Sequence, residues 1–424
     1  MKPSLVAAIL FSTLAILNGA ERIVPGATAG APRERCWKED LDYLARELPA
    51  RHLDFFKLMP QRQFDREVHE LESEVPRLSD VEIVFRLMRL AARLGVSHTR
   101  VGWPAGHLTV RRYPLAFYWF SDGLAVAAVT PEYREALGAR VLRIGSRTPR
   151  QVQTAVAPFV SHDNDAGLRG ESPIFMRSAE LLQHLQIAST DGHLRLRLAK
   201  SDGQPFELQV TPCPDEMQTN WVKIWDDWAV PRRLSGNHAD AFYWYELLPG
   251  TRSLYVQYNV CANMPGDSFE SFARNLFAFA DSRAVERIVV DLRGNGGGDS
   301  RVVNPLLEGL KSRPALSRIG HLYVLIGRGT CSSGMWAAVS LQQRFGARLV
   351  GEPTGGKPNA YGDIRIMYLP NSRIEIRYST QWFQLMNPDA PASLDPDVRA
   401  PQSLKDCLAG RDRALEAALR HTLR

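Results

Sequence analysis

A strand-like run, HLYVLI (321–326), breaks at GRGTCSSG and is followed by ARLVGEPTGGK, which places Ser332 and Ser333 ahead of a lysine, Lys357. A serine hydroxyl is a poor nucleophile at neutral pH, so hydrolytic chemistry needs a base to take its proton. An amine does so when desolvation lowers its pKa. Cys331 offers a thiol as a rival nucleophile, although a lone cysteine is more often a small buried hydrophobe. Upstream, the run RIVVDL leads into RGNGGGDS, giving Asp291, Arg293, Asn295 and then Gly296, Gly297 and Gly298. Consecutive glycines let a backbone approach a ligand and present unpaired N–H groups, which suit a phosphate or a developing oxyanion.

Two nucleotide-binding patterns come close and fail. Gly294 and Gly296 have dinucleotide spacing, but Asp299 stands where the third glycine belongs. Gly351 to Lys357 nearly spells a P-loop, yet Pro358 occupies the magnesium-ligating position and removes a backbone N–H.

The elements that must position these residues follow from periodicity. Cys36 to Leu94 carries apolar residues every three or four positions, the pattern of helices, with Ser79 and Glu82 forming a capping box and Gly95 a stop. Between Val110 and Thr211 short apolar or alternating runs are separated by S-D-G and K-S-D-G-Q turns, which reads as a mostly β module with a helical insert near PIFMRSAELLQHLQI. Residues 213–250 read as an irregular connection. Beyond it SLYVQYNV, RIVVDLRG, LYVLIG and RLVGEP alternate with helical stretches, implying βα crossovers and a sheet covered by helices.

The 424 residues suffice for two or three domains, and a formal charge of +6 spread over scattered arginines gives no nucleic-acid footprint. Residues 1–20, MKPSLVAAILFSTLAILNGA, have the layout of a secretory signal, and no other run is long enough to span a bilayer, so the expectation is an exported chain, periplasmic or extracellular. Five cysteines, Cys36, Cys213, Cys261, Cys331 and Cys407, are too few and too irregular for a disulfide scaffold or zinc site, and at least one thiol is left free. No metal or cofactor is implied.

Together VVDLRGNGGG, TCSSG and GEPTGGK resemble the C-terminal-processing (tail-specific) family of serine peptidases, whose relatives include the tricorn core. The resemblance covers about residues 250–400. It implies an α/β fold with a crotonase/ClpP-like catalytic βα domain (213–424) and a PDZ-like β module (110–212), which follow the signal peptide (1–20) and the N-terminal helical region (21–109) read above from layout and periodicity. It also implies Ser332 as nucleophile, with Ser333 a rival, and Lys357 as base. The oxyanion hole would combine the N–H of Ser333 with one from Gly297 or Gly298. The chain departs from the lysine-dependent branch at Gly334 and Met335, and GVSHTRVG, with Ser97 and His98, resembles the Ser-His pair of the tricorn-type branch. A histidine needs less tuning than a lysine to act as base, so His98 and Lys357 compete for that role, and Ser97 belongs with the histidine. The same branch implies a late acidic residue that orients the site, for which Asp389, Asp395 and Asp397 are the candidates.

The expected activity is cleavage of a peptide or protein substrate through an acyl-enzyme. A non-catalytic binding protein on the same scaffold is the alternative, its nine tryptophans lining an apolar cleft. A small-molecule esterase is a third reading.

Overall fold

The computed structural model describes residues 32–104, 108, 110–224 and 241–421. The signal-like segment and Trp225 and Trp228 lie outside the described residues. The chain is mixed α/β, with three sheets.

The N-terminal region is helical: α1 (Arg33–Arg51), α2 (Phe55–Leu58), α3 (Gln61–Glu74) and α4 (Asp80–Ala92). Ser79 and Glu82 form the expected capping box, each side chain bonding the other's backbone N–H. Gly95 follows with φ +64°, a left-handed conformation that glycine adopts without a Cβ penalty. The chain then turns through Ser97 and His98 into a two-residue strand, β1 (Arg100–Val101).

The middle of the chain forms a sheet in the order β2 (Leu115–Phe120), β3 (Gly123–Val129), β4 (Arg140–Ile144), β5 (Leu194–Ala199), β6 (Pro205–Val210), with β7 (Val222–Lys223) added to β3. The insert between β4 and β5 holds three helices, α5 (Pro149–Val156), α6 (Asp165–Phe175) and α7 (Ala179–His184). Alternation along β5, LRLRLA, puts the leucines in the core and the arginines outside.

The third region contains a sheet whose neighbours run β15 (Val398–Arg399), β12 (Arg348–Gly351), β11 (Leu322–Ile326), β10 (Arg287–Asp291), β9 (Ser253–Tyr258) and β8 (Tyr243–Leu247). Only the β8 pairing is antiparallel. Crossover helices α8 (Phe269–Ser282), α9 (Asn304–Lys311) and α10 (Ser333–Phe345) cover one face against Leu254, Val256, Ile288, Val290, Leu322 and Val324. After α11 (Leu404–Leu408), α12 (Arg413–Arg420) covers the other against Tyr255, Val289, Tyr323 and Leu325. Coverage on both faces explains why all five residues of β11 are buried and why these strands read as continuous apolar runs.

A long hairpin, β13 (Asn359–Tyr368) with β14 (Glu375–Gln384), pairs with β1 through β14. Its turn is fixed by the buried Asp40 of α1, whose carboxylate accepts from the backbone N–H groups of Asn371 and Ser372 at 2.7 and 2.8 Å. The helical region is thereby fastened to the hairpin. After Lys357, where the sequence nearly spells a P-loop but reads as turn and strand, the next element is β13, so there is no helix N-terminus to receive a phosphate.

Candidate active site

Parallel strands β10, β11 and β12 end on the same side of their sheet, where ligands of such sheets bind. The segments after their C-terminal ends are the glycine loop, the TCSS turn and GEPTGGK. The topology therefore collects three motifs that the sequence spreads over some sixty positions.

Ser332 is the residue at the turn from β11 into α10, with φ +52° and ψ −126°. A non-glycine residue there is strained, and such strain concentrates where a side chain must be presented sharply. Three bonds hold the turn. Thr330, fully buried, donates its hydroxyl to the Leu292 carbonyl at 2.8 Å. The Cys331 N–H reaches the Asn295 carbonyl at 3.0 Å. The Ser333 hydroxyl donates to the Gly298 carbonyl at 2.6 Å. That last bond separates the adjacent serines: Ser333 is committed to the loop, whereas the Ser332 hydroxyl has no hydrogen-bond partner among the described residues. The Cys331 thiol is enclosed, and burial pushes its pKa up to about 12, so it stays protonated at neutral pH.

The glycine loop also resolves. Gly297 N–H is spent on Asn295 Oδ1 at 2.9 Å. Cys261 bonds the Gly297 carbonyl and the Asp299 N–H, leaving the Gly298 N–H outside that ladder. Neither it nor the Ser333 N–H has a partner among the described residues. A Cβ on Gly297 would meet Ser332 Oγ and the Ser333 nitrogen, both at 2.9 Å, so the loop lies against the hydroxyl. Gly298 has φ +136°, and a Cβ there would overlap the Cys261 carbonyl oxygen. Gly298→Ala is expected to displace the loop and, on the oxyanion-donor role that the resemblance implies for Gly298, to cut turnover by about 10²–10³-fold. Steady-state kinetics beside circular dichroism separates this from unfolding.

Asp291 and Arg293, which open the motif, have a fastening role. Tyr255 donates to Asp291 at 2.6 Å, and Arg293 forks between Asp291 and Asp412, the N-cap of α12. The two carboxylates raise the Arg293 pKa against the effect of burial. Asn295, fully buried, donates to the Tyr258 carbonyl.

The Ser97–His98 turn carries a second chain of bonds. Asp163 accepts from Ser97 N–H and from Ser97 Oγ, both at 2.8 Å, and Ser97 Oγ lies 3.2 Å from His98 Nδ1. The single hydroxyl proton is given to the carboxylate, so Ser97 can only accept from His98, which puts the imidazole proton on Nδ1. Nε2 then carries a free lone pair. Burial lowers the His98 pKa, opposed by the nearby Asp163 charge and aided by Arg100. Asp163 and Arg100 also act on Cys331, next to Ser332, so the Ser97–His98 turn and the Ser332 turn share one neighbourhood. Thr99 is fixed from behind by His52, whose Nε2 lies 2.8 Å from the Thr99 hydroxyl.

Lys357 lies in the loop between β12 and β13, half-buried, with no hydrogen bond or ion pair among the described residues. The loop touches the nucleophile turn: Gly356 N–H bonds the Thr330 carbonyl at 3.2 Å, and a Cβ on Gly356 would meet Cys331. Ser332 Oγ is hydrogen-bonded to neither Lys357 nor His98.

The late acids lie elsewhere. Asp397 accepts from Leu349 N–H and faces Arg348, Asp395 faces Arg399, and Asp389 is exposed. The carboxylate that orients the histidine turn is Asp163, from the segment before α6. Its signal in the sequence, HDND ahead of a helix, looks like helix capping, and Asn164 is indeed the N-cap. Asn164 also donates to the Thr354 and Ala392 carbonyls at 3.1 and 2.7 Å. Adjacent residues thus hold both the Ser97–His98 turn and the loop that carries Lys357.

Arg328, just after β11, ties the same region to β2. It pairs with Glu352 at 3.0 Å, donates to the Trp119 carbonyl at 2.5 Å and stacks over Tyr118, while Arg169 takes the Phe120 carbonyl. The end of β2 is therefore occupied by guanidinium groups. Trp37, Trp119 and Trp244 are core residues. No group of potential metal ligands and no disulfide occurs among the described residues, and all five cysteines are free.

The sequence matches no family model and no curated protein. The fold is that of CPAF. The structure of mature CPAF complexed with lactacystin superimposes with a TM-score of 0.63 at 12% identity, covering 91% of this chain and 97% of that one. A serine-to-alanine mutant of CPAF gives 0.60 at 11%, covering 92% and 99%. The photosystem II D1 C-terminal processing protease is more distant, at 0.39 and 14%, over 91% and 99%. Among the described residues no helix is long and apolar enough to cross a membrane.

Proposed function

We propose that the chain is an exported serine-type endopeptidase that cleaves peptide bonds through an acyl-enzyme on Ser332. The observation that carries this reading is the Asp163–Ser97–His98 chain, which leaves His98 Nε2 unprotonated in the neighbourhood of a strained, unpartnered serine hydroxyl. Ser332 Oγ attacks the scissile carbonyl and gives its proton to His98 Nε2. The carbonyl oxygen, now negative, is received by the N–H groups of Gly298 and Ser333. His98 returns the proton to the leaving amine, and water hydrolyses the ester by the same route. Lys357 flanks the site as a substrate-facing cation.

The antiparallel module around β2–β6 is read as PDZ-like and the parallel sheet with α8–α10 as crotonase/ClpP-like. Export rests on the layout of residues 1–20. Lactacystin, present in the CPAF complex, is a ligand to try at this site.

A serine-reactive phosphonate is expected to label Ser332, with peptide cleavage lost in proportion and unaffected by chelators. Labelling confined to other residues while cleavage persists would overturn the assignment.

A further inference from the structure

Arg100, on β1, is half-buried and has no hydrogen bond or ion pair among the described residues. Its Nε is fully enclosed and unpartnered, an unusual state for a guanidinium donor and one that asks for an explanation. Arg100 lies two residues after His98, and its charge is felt at His98, at Cys331 beside Ser332 and at Glu171 of α6, so it lies close to the candidate site. The surrounding carboxylates do not neutralise it through contact. Asp163 is taken twice by Ser97, and Glu375 of β14 is taken by Arg377, the residue opposite Arg100 in the β1–β14 ladder. Glu171 makes no hydrogen bond among the described residues, and burial raises its pKa, which weakens it as a counter-ion. Lys357 is a second cation without a partner among the described residues.

We infer that Arg100 receives a carboxylate of the substrate close to the scissile bond, so that the site selects peptides carrying an acidic side chain there. This rests on the peptidase reading above. A guanidinium offers a planar fork of donors that matches a carboxylate in two parallel bonds, whereas a neutral amide satisfies only part of it. A site built around unsatisfied donors discriminates strongly against a substrate lacking the acceptor.

The test uses the full chain and matched peptides: glutamate against glutamine at each position flanking the cut, and free acid against amide at the C-terminus. The acidic member of one pair is expected to show kcat/KM about 10–100-fold above its neutral partner. In Arg100→Gln that ratio falls to within about twofold, and Arg100→Lys retains an intermediate preference because charge survives without the fork. A Glu/Gln difference bears out the side-chain assignment, and a difference confined to free acid against amide at the C-terminus overturns it. A wild-type enzyme whose Ser332 is labelled by the phosphonate but which treats matched pairs alike overturns this inference and leaves the peptidase reading standing. A preference that survives in Arg100→Gln and vanishes in Lys357→Met overturns it in favour of the lysine. A preference for basic peptides lost in Glu171→Gln overturns it in favour of the acid. Absence of both labelling and cleavage removes the underlying reading and the inference with it.

Discussion

Replacing Ser332 by alanine is expected to lower peptide turnover by about 10⁶-fold, the scale seen when a serine nucleophile is removed. The fold should survive. The Ser332 side chain makes no hydrogen bond among the described residues, and the turn is held by Thr330, Cys331 and Ser333 instead. Alanine also accepts the positive φ no worse than serine does. Loss of turnover with an unchanged circular dichroism spectrum and unchanged binding of a peptide would establish the role. Retained turnover would remove Ser332 from the mechanism. The companion change, Ser333→Ala, breaks the bond to the Gly298 carbonyl and should give a much smaller loss, about tenfold, by loosening the loop that carries the oxyanion donor.

The second large effect separates the two bases. His98→Gln is expected to cost about 10⁴-fold in kcat, while Lys357→Met alters KM for charged peptides and leaves most of kcat. The pH profile gives an independent reading. A base works when unprotonated, and burial holds the His98 pKa below the ordinary 6.5, so the acidic limb of kcat/KM should lie below pH 6.5. An amine base, ordinarily near pKa 10.4, would place that limb at or above neutrality. Stability moves in the same direction. His52 and His98 are both held neutral by burial, so below about pH 6.5 the unfolded chain binds more protons than the folded one. Stability then falls as the pH drops from 6.5 through the two folded values. Rates in acid therefore need to be taken where the dichroism signal is intact. A limb above pH 7.5 combined with an active His98→Gln enzyme would assign the base to Lys357.

The parallel sheet was legible because its strands are buried on both faces, and a run such as LYVLI admits few other readings. The Ser332 turn was legible for a related reason, since a strand, a small-residue break and a helix follow in order. Long-range partners were not. Asp163 meets Ser97 across 66 positions and Asn164 meets Ala392 across 228, and neither residue type departs from ordinary helix-capping chemistry. Arg100 was equally hidden, because an arginine is informative only once its neighbours, and the lack of an ion pair with them among the described residues, are known. The late aspartates misled for the opposite reason: they fall where the resemblance expects an acid, but in the fold Asp397 steadies β12 beside Arg348. Ser332 and Ser333 could not be ranked without the hydroxyl geometry at Gly298.

One pair of neighbours, Asp163 and Asn164, grips the histidine turn with one carboxylate and the lysine loop with one amide, while Arg328 anchors the nucleophile turn to β2. The reactive groups thus take their alignment from a segment inserted in a different sheet. A graft of the parallel sheet onto another β module would carry Ser332 but leave behind Asp163 and Asn164, which hold the Ser97–His98 turn and the loop before Lys357.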